Sequence, residues 1–297
     1  MVIKDKPVMS IYRIAGHLIC VRNDKMLSRR PLSYFRSERE KGDEIFLLHF
    51  ETNVPLRNWT VDPQNSFRVD QYICDFSKNK EAYLFRMALP GNTKPWLVEI
   101  HPDGGAFHAL SNLDNAAPDS VLRFIVWIAF GVAALHRQTV SIHASAVMYR
   151  GKSVLFLGES GTGKSTHTRL WLKHIPDTEL LNDDSPFLNV SNDISVYGSP
   201  WSGKTPCYKA LKTPLAALVR LRQAPYNKIK QLSNLEAIGA VQPSFPETFA
   251  YDETLSGYSH DILSKILQQT PVYGLDCLPD DEAAKLVFDT LKKDEIL

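Results

Sequence analysis

A mixed α/β region behind a β-rich, antiparallel N-terminal domain is the fold class this sequence predicts, and three observations predict it. Short runs of β-branched and aromatic residues occupy the chain from Ile11 to about Leu110, with turn-prone segments between them. A long apolar stretch with helical start signals follows Pro118. Beyond it, strand-like and helix-like segments mix around a glycine-rich loop, GESGTGKST, from Gly158 to Thr166. The domain boundary is placed at Pro118, giving domains of 1–117 and 118–297.

The N-terminal runs are IYRIAGHLICVRN, EIFLLHFETN, SFRVDQYICDF, AYLFRMAL and WLVEIHP, separated by SKNKE, PGNTKP and PDGG. Partial alternation, as in Phe67, Arg68, Val69 and Asp70, predicts one packed face and one solvated face. After SNLDNAAPDS the apolar helix runs to about Gln138. Two strand-like runs follow, VSIHASAVMYR and KSVLFLG, joined by a turn at Arg150 to Lys152, and the second leads straight into the glycine loop. The remainder reads as strands (ISVYG, ALVRLR) and helices near Ser233–Ala240, Tyr258–Gln268 and Asp281–Lys292.

A chain of 297 residues can bury a sizeable core, and its net charge of +1 gives no sign of a nucleic-acid or anionic-membrane partner. Cys20, Cys74, Cys207 and Cys277 are scattered, without a CxxC pair or zinc spacing, so reduced thiols and a cytoplasmic location are expected. MVIKDKPVMS lacks the secretory pattern, and the longest apolar run, Phe124 to Leu135, is too short to span a bilayer.

The loop fits GxxxxGK[ST] through Gly158, Gly163, Lys164 and Ser165, with an apolar strand before it and the helix-forming STHTRLWLKH after it. In that context Gly158, Glu159, Ser160, Gly161, Thr162, Gly163, Lys164, Ser165 and Thr166 are the expected nucleotide-binding residues. Glycines let backbone N–H groups turn inward around a phosphate, and the helix N-terminus adds a favourable dipole. Lys164 is expected on the β- and γ-phosphates, and Ser165 on Mg²⁺.

Asp183 and Asp184 follow Lys164 by nineteen and twenty positions, after one helix-like run and the strand-like TELLN. In switch and motor proteins the second carboxylate generally lies on a later strand, so this early pair argues against that branch. Two adjacent acids at a strand end can divide labour, one holding Mg²⁺ or its water and the other taking a proton from a hydroxyl. Their structural alternative is an N-cap or surface turn, since DDSP is also turn chemistry.

The run IHASAVMYRGKSVLFLGESGTGKST resembles the HPr kinase/phosphorylase catalytic domain, where a His-Gly or His-Ala strand leads through a hairpin into GxSGxGKS and then an ADD-type acid pair. It is also similar to ATP-dependent phosphoenolpyruvate carboxykinase, with its HCSA, GLSGTGKTT and GDDE. The resemblance covers about Ser141 to Phe187 and, in fold, Pro118 to Leu297. It implies a P-loop domain of that type, with ATP on Gly158 to Ser165, Lys164 on the phosphates, and Ser165 and Asp183 towards Mg²⁺ or Mn²⁺. It also implies Asp184 as proton acceptor and His143 in the active site; a histidine satisfied within its strand is the structural alternative. The kinases carry a metal-binding glutamate before an RGLG-type segment, whereas the nearest counterpart here, Ile194 to Lys204, has no acid at that point.

Within that counterpart, GSPWSGK combines loop residues with an indole and an ammonium, making Trp201 and Lys204 candidates for gripping an acceptor; a turn with a packed tryptophan is the alternative. Arg220 and Arg222 alternate onto one strand face, where Arg220 is a further candidate for a phosphate or an acceptor carboxylate.

Together these readings lead to an ATP-dependent kinase acting on a hydroxyl, which the resemblance makes a serine of a protein or peptide. A small-molecule hydroxyl, a carboxykinase-like lyase and a non-catalytic nucleotide sensor are the alternatives. HPr kinases are hexamers, so the resemblance allows a homo-oligomer.

Overall fold

Tight turns inside apparently continuous runs shape the N-terminal sheet. In the computed structural model, which describes residues 9–22, 31–38, 46–57, 59, 65–92, 94–203 and 205–297, IYRIAGHLICVRN is a hairpin of β1 (Met9–Ile14) and β2 (His17–Arg22), reversed at Ala15 and Gly16, both at positive φ. SFRVDQYICDF is likewise β4 (Ser66–Val69) and β5 (Tyr72–Lys78), reversed at Asp70 with φ 51°. Asp tolerates that left-handed conformation better than bulkier residues do. EIFLLHFETN supplies β3 (Leu48–Glu51); its Glu44 and Ile45 lie outside the described residues. β6 (Tyr83–Ala88), β7 (Trp96–Asp103) and β8 (Ala106–Ser111) complete the sheet.

The strand order is β1-β2-β3-β8-β7-β6-β5-β4. It corrects the expectation of a purely antiparallel domain, because β3 runs parallel to both neighbours, β2 and β8. A parallel neighbour needs a long crossover, and the connection over residues 23–47 supplies the length. Helix α1 (Asp119–Leu135) packs on β3, β6, β7 and β8 and buries Ile125, Ala129, Phe130 and Val132 completely. Among the described residues no helix is long and apolar enough to cross a membrane.

Two units result: Met1–His136 with Thr248–Ser256, and Arg137–Glu247 with Gly257–Leu297. The division falls after α1 and not at Pro118, since the helix buries its apolar surface on the N-terminal sheet.

The second unit is built on a mixed sheet whose main path is β12 (Thr178–Asp184), β10 (Ala144–Tyr149), β11 (Lys152–Leu157), β15 (Lys212–Gln223), β14 (Ser195–Tyr197), β13 (Phe187–Asn189) and β9 (Thr139–Ser141). Two further strands extend it beside β15: β17 (Val272–Cys277) parallel to β15, and β16 (Lys228–Gln231) antiparallel to β17. One face, through Val147, Phe156, Val219, Leu221 and Leu275, buries Trp171 of α2 (Lys164–His174) and Val287 and Leu291 of α5 (Asp281–Lys293). α3 (Asn234–Val241) packs against β15 and β17, and α4 is Glu253–Gln269. Fold class is therefore mixed α/β with mixed sheets. All four cysteines are free, three of them buried and Cys277 half-buried.

Candidate active site

Strand register brings the predicted residues to one rim. Ala144, the first residue of β10, pairs with Leu157 on one side and Asp184 on the other, and Leu157 in turn pairs with Arg220. β11 and β12 both run antiparallel to β10, so the glycine loop leaves the sheet at the same end as the acid pair, two strand spacings or roughly 10 Å away. His143 stands immediately before Ala144 at that rim.

The loop turns back over the strand end through Gly161 and Gly163, at φ 82° and 112°, conformations that glycine adopts without strain. Gly163 is also the residue before α2, and among the described residues no side chain caps that helix, so its first N–H groups are left for another acceptor. Thr162 closes the loop by donating from its Oγ1 to the Glu159 carbonyl at 2.7 Å. Lys164 is buried and folds back, its Nζ donating to the carbonyls of Gly158 at 2.7 Å and Glu159 at 3.1 Å. Burial holds its pKa below the usual lysine value, with the Asp184 carboxylate acting in the opposite direction.

The two acids take opposite faces, as adjacent strand residues must. Asp183 is buried under α2, where Oδ1 accepts from Ser145 Oγ at 2.8 Å and Oδ2 from the Thr205 N–H at 3.3 Å. Ser145 Oγ also lies 2.7 Å from Thr168 Oγ1, which donates at 3.0 Å to the Lys164 carbonyl, so Asp183 is tied to the first turn of the helix that follows the loop. Asp184 is 43% exposed, accepts from Ser185 Oγ at 3.1 Å, and faces His143 Nε2 at 3.8 Å. Burial lowers the His143 pKa, Lys164 lowers it further and Asp184 opposes both, which favours a neutral imidazole.

Asn182 fixes the chain at the acids. Its fully buried side chain accepts from the Asp184 and Ser185 N–H groups and donates to the carbonyls of Ser199 and Trp201. GSPWSGK is thereby laid across the pair: the Gly203 N–H donates to the Asp183 carbonyl at 2.7 Å, and Ser202 forms a backbone bridge with Asp184. Trp201 is only 6% exposed and packs on Phe187 with ring centroids 5.7 Å apart. This corrects its candidacy as an acceptor contact: the indole belongs to the interior, and the segment's part in the site is to hold the acids. Lys204 lies outside the described residues.

Arg220 shares a row and a face with Asp184. Its guanidinium donates to the Ala240 carbonyl and Ser244 Oγ, both at 3.4 Å, and pairs with Glu159 of the loop at 3.3 Å. Arg222, one row further on, pairs with Asp276. Sequence reasoning missed Ser145, Thr168, Asn182 and Thr205. Among the described residues no three or more His, Cys, Asp or Glu side chains gather as a metal cluster. Compared with known proteins, the chain matches no family model and no curated protein.

Proposed function

We propose that this chain is an ATP-dependent phosphotransferase whose second unit is a P-loop domain of the HPr kinase and phosphoenolpyruvate carboxykinase type, moving the γ-phosphate to a hydroxyl. The observation that carries the reading is the division of the acid pair. Asp183 is buried and accepts from Ser145 Oγ, which in turn lies 2.7 Å from Thr168 Oγ1 on the helix following the loop, whereas Asp184 is half-open beside His143 at the same rim. A switch or a sensor has no use for a second, solvent-reachable carboxylate there. A transferase does, because an incoming hydroxyl must be oriented and must give up its proton.

The residues present fit Mg·ATP. Uncapped N–H groups at the start of α2 and the Lys164 ammonium suit phosphate oxygens, and Ser165 and Asp183 are the oxygen-bearing residues that would hold magnesium, which takes oxygen ligands. When bound, the metal neutralises charge on the phosphate oxygens. Lys164 exchanges its two carbonyl acceptors for the phosphates, Asp184 orients the acceptor hydroxyl and removes its proton, and His143 bounds the acceptor side. Ser145, Thr168 and Asn182 keep both acids in place. A serine of a protein or peptide is the acceptor class favoured by the resemblance to the HPr kinases. The test is incubation with γ-labelled ATP and lysate of the source cell: a labelled species is expected with wild-type protein and none with Asp184→Asn. Absence of any label transfer with either divalent metal would remove the reading.

A further inference from the structure

β15 runs further than the strand beside it. Its parallel pairing with β11 ends at Leu157 opposite Arg220, where β11 gives way to the glycine loop. β15 continues through Leu221, Arg222 and Gln223, held on its other side by β17, which pairs Asp276 with Arg222 and Cys277 with Gln223. Three residues of strand extend about 10 Å, so this overhang stands alongside the loop. Side chains alternate along it. Arg222 therefore turns to one face, where it pairs with Asp276, and Gln223 turns with Leu221 to the face that carries α2.

Gln223 directs its side-chain amide at the loop backbone. Nε2 donates to the carbonyls of Gly161 at 3.3 Å and Thr162 at 3.4 Å. Carbonyl oxygens can be met only by the NH₂ end of an amide, so these partners settle which way the side chain lies. A trans peptide unit is planar, and its C=O and N–H point in opposite directions. Holding the Gly161 carbonyl outward thus turns the Thr162 N–H inward, where it donates to the Glu159 carbonyl at 3.2 Å and closes the turn. Holding the Thr162 carbonyl outward turns the Gly163 N–H away from Gln223 in the same manner. Among the described residues that N–H meets no acceptor, and it opens the series of uncapped donors at the start of α2. The positive φ of Gly161 and Gly163 permits this turn, but glycine is equally free to leave it. Gln223 supplies a hold on the plane between Thr162 and Gly163.

We infer that Gln223 is a positioning residue of the phosphate loop, a role that rests on the nucleotide reading of that loop. It acts through the backbone, keeping the Gly163 N–H turned to the phosphate side, and makes no contact of its own with the nucleotide. Calorimetric titration of the full chain with Mg·ATP and with base-free Mg·tripolyphosphate tests this on wild type, Gln223→Met and Gln223→Asn. Methionine keeps the length and loses the donor, whereas asparagine keeps the amide but is one methylene short of both carbonyls. The position is exposed, so both variants should fold and melt as wild type does. Each is expected to bind both ligands about tenfold more weakly than wild type, the scale of losing two exposed hydrogen bonds. The factor should be the same for ATP and tripolyphosphate, with the stoichiometry unchanged. In the transfer assay KM for ATP should rise while kcat stays within about twofold, since the loop holds the phosphates equally before and during transfer. Unchanged affinity in either variant would overturn the role while leaving the nucleotide reading intact. A loss confined to ATP would overturn it too, by making Gln223 a contact of the nucleoside, and a fall in stoichiometry at constant affinity would reduce Gln223 to a part in folding. Binding of neither ligand by wild type would remove the nucleotide reading and this role with it.

Discussion

Ser145 Oγ donates to Asp183 Oδ1 at 2.8 Å while lying 2.7 Å from Thr168 Oγ1, so one buried hydroxyl joins an acid on β12 to the first turns of α2. The acid is thus set relative to the loop by the protein itself. Ser145→Ala removes the donor and leaves Oδ1 buried with one partner fewer. A stability loss of about 1–3 kcal/mol is expected in urea unfolding. The Mg²⁺ concentration for half-maximal transfer should rise more than the ATP requirement, and Ser145→Thr should restore part of it. Equal changes in both would show that Ser145 acts only on folding.

Gly203 shows a different constraint. A Cβ built on it meets the Asp183 carbonyl oxygen at 2.6 Å, a backbone atom that cannot swing away. Gly203→Ala must push GSPWSGK off the acid pair and lose the 2.7 Å hydrogen bond from its N–H. The expected cost is about 1–3 kcal/mol, with transfer reduced far more than ATP binding. Thermal unfolding and labelled-ATP assays on the same preparation separate the two effects.

These two residues also mark the limit of what the sequence disclosed. The loop and the acids were legible because their chemistry sits in contiguous residues, with a strand before Gly158 and a helix from Lys164. Ser145, Asn182 and Thr205 were not, because what makes them matter is the register of β10 against β12 and the return of a later segment, which are long-range choices. Turns at Ala15-Gly16 and Asp70 were hidden inside apolar runs by their brevity, and the parallel pairing of β3 depends on partners distant in sequence. Trp201 was ambiguous for the same reason: only the fold says whether an indole in a loop faces a ligand or Phe187.

Asp184→Asn separates catalysis from folding. The side chain is 43% exposed, and its one side-chain hydrogen-bond donor among the described residues, Ser185 Oγ, can equally reach an amide oxygen. The melting temperature should stay near that of wild type, ATP binding should persist, and transfer should fall by about 10²–10⁴, the range for loss of a general base. Transfer that survived at more than about a tenth of the wild-type rate would assign the base role elsewhere.

His167 makes stability depend on pH. Burial depresses its pKa from 6.5 to about 4, with Asp280 opposing. Between those values the unfolded chain holds a proton that the folded chain does not, so stability is full above about 6.5, falls as pH drops towards about 4, and levels off below. The separation corresponds to about 3 kcal/mol. Carboxylates elsewhere add their own slopes, so the quantity to measure is the difference between wild type and His167→Phe in urea unfolding across the window from about pH 7 to about pH 4. The variant, with nothing to protonate at this position, should lose less stability on acidification by roughly that amount. Parallel curves for the two proteins would mean that the imidazole accepts its proton in the folded chain, and that its surroundings open before the protein unfolds.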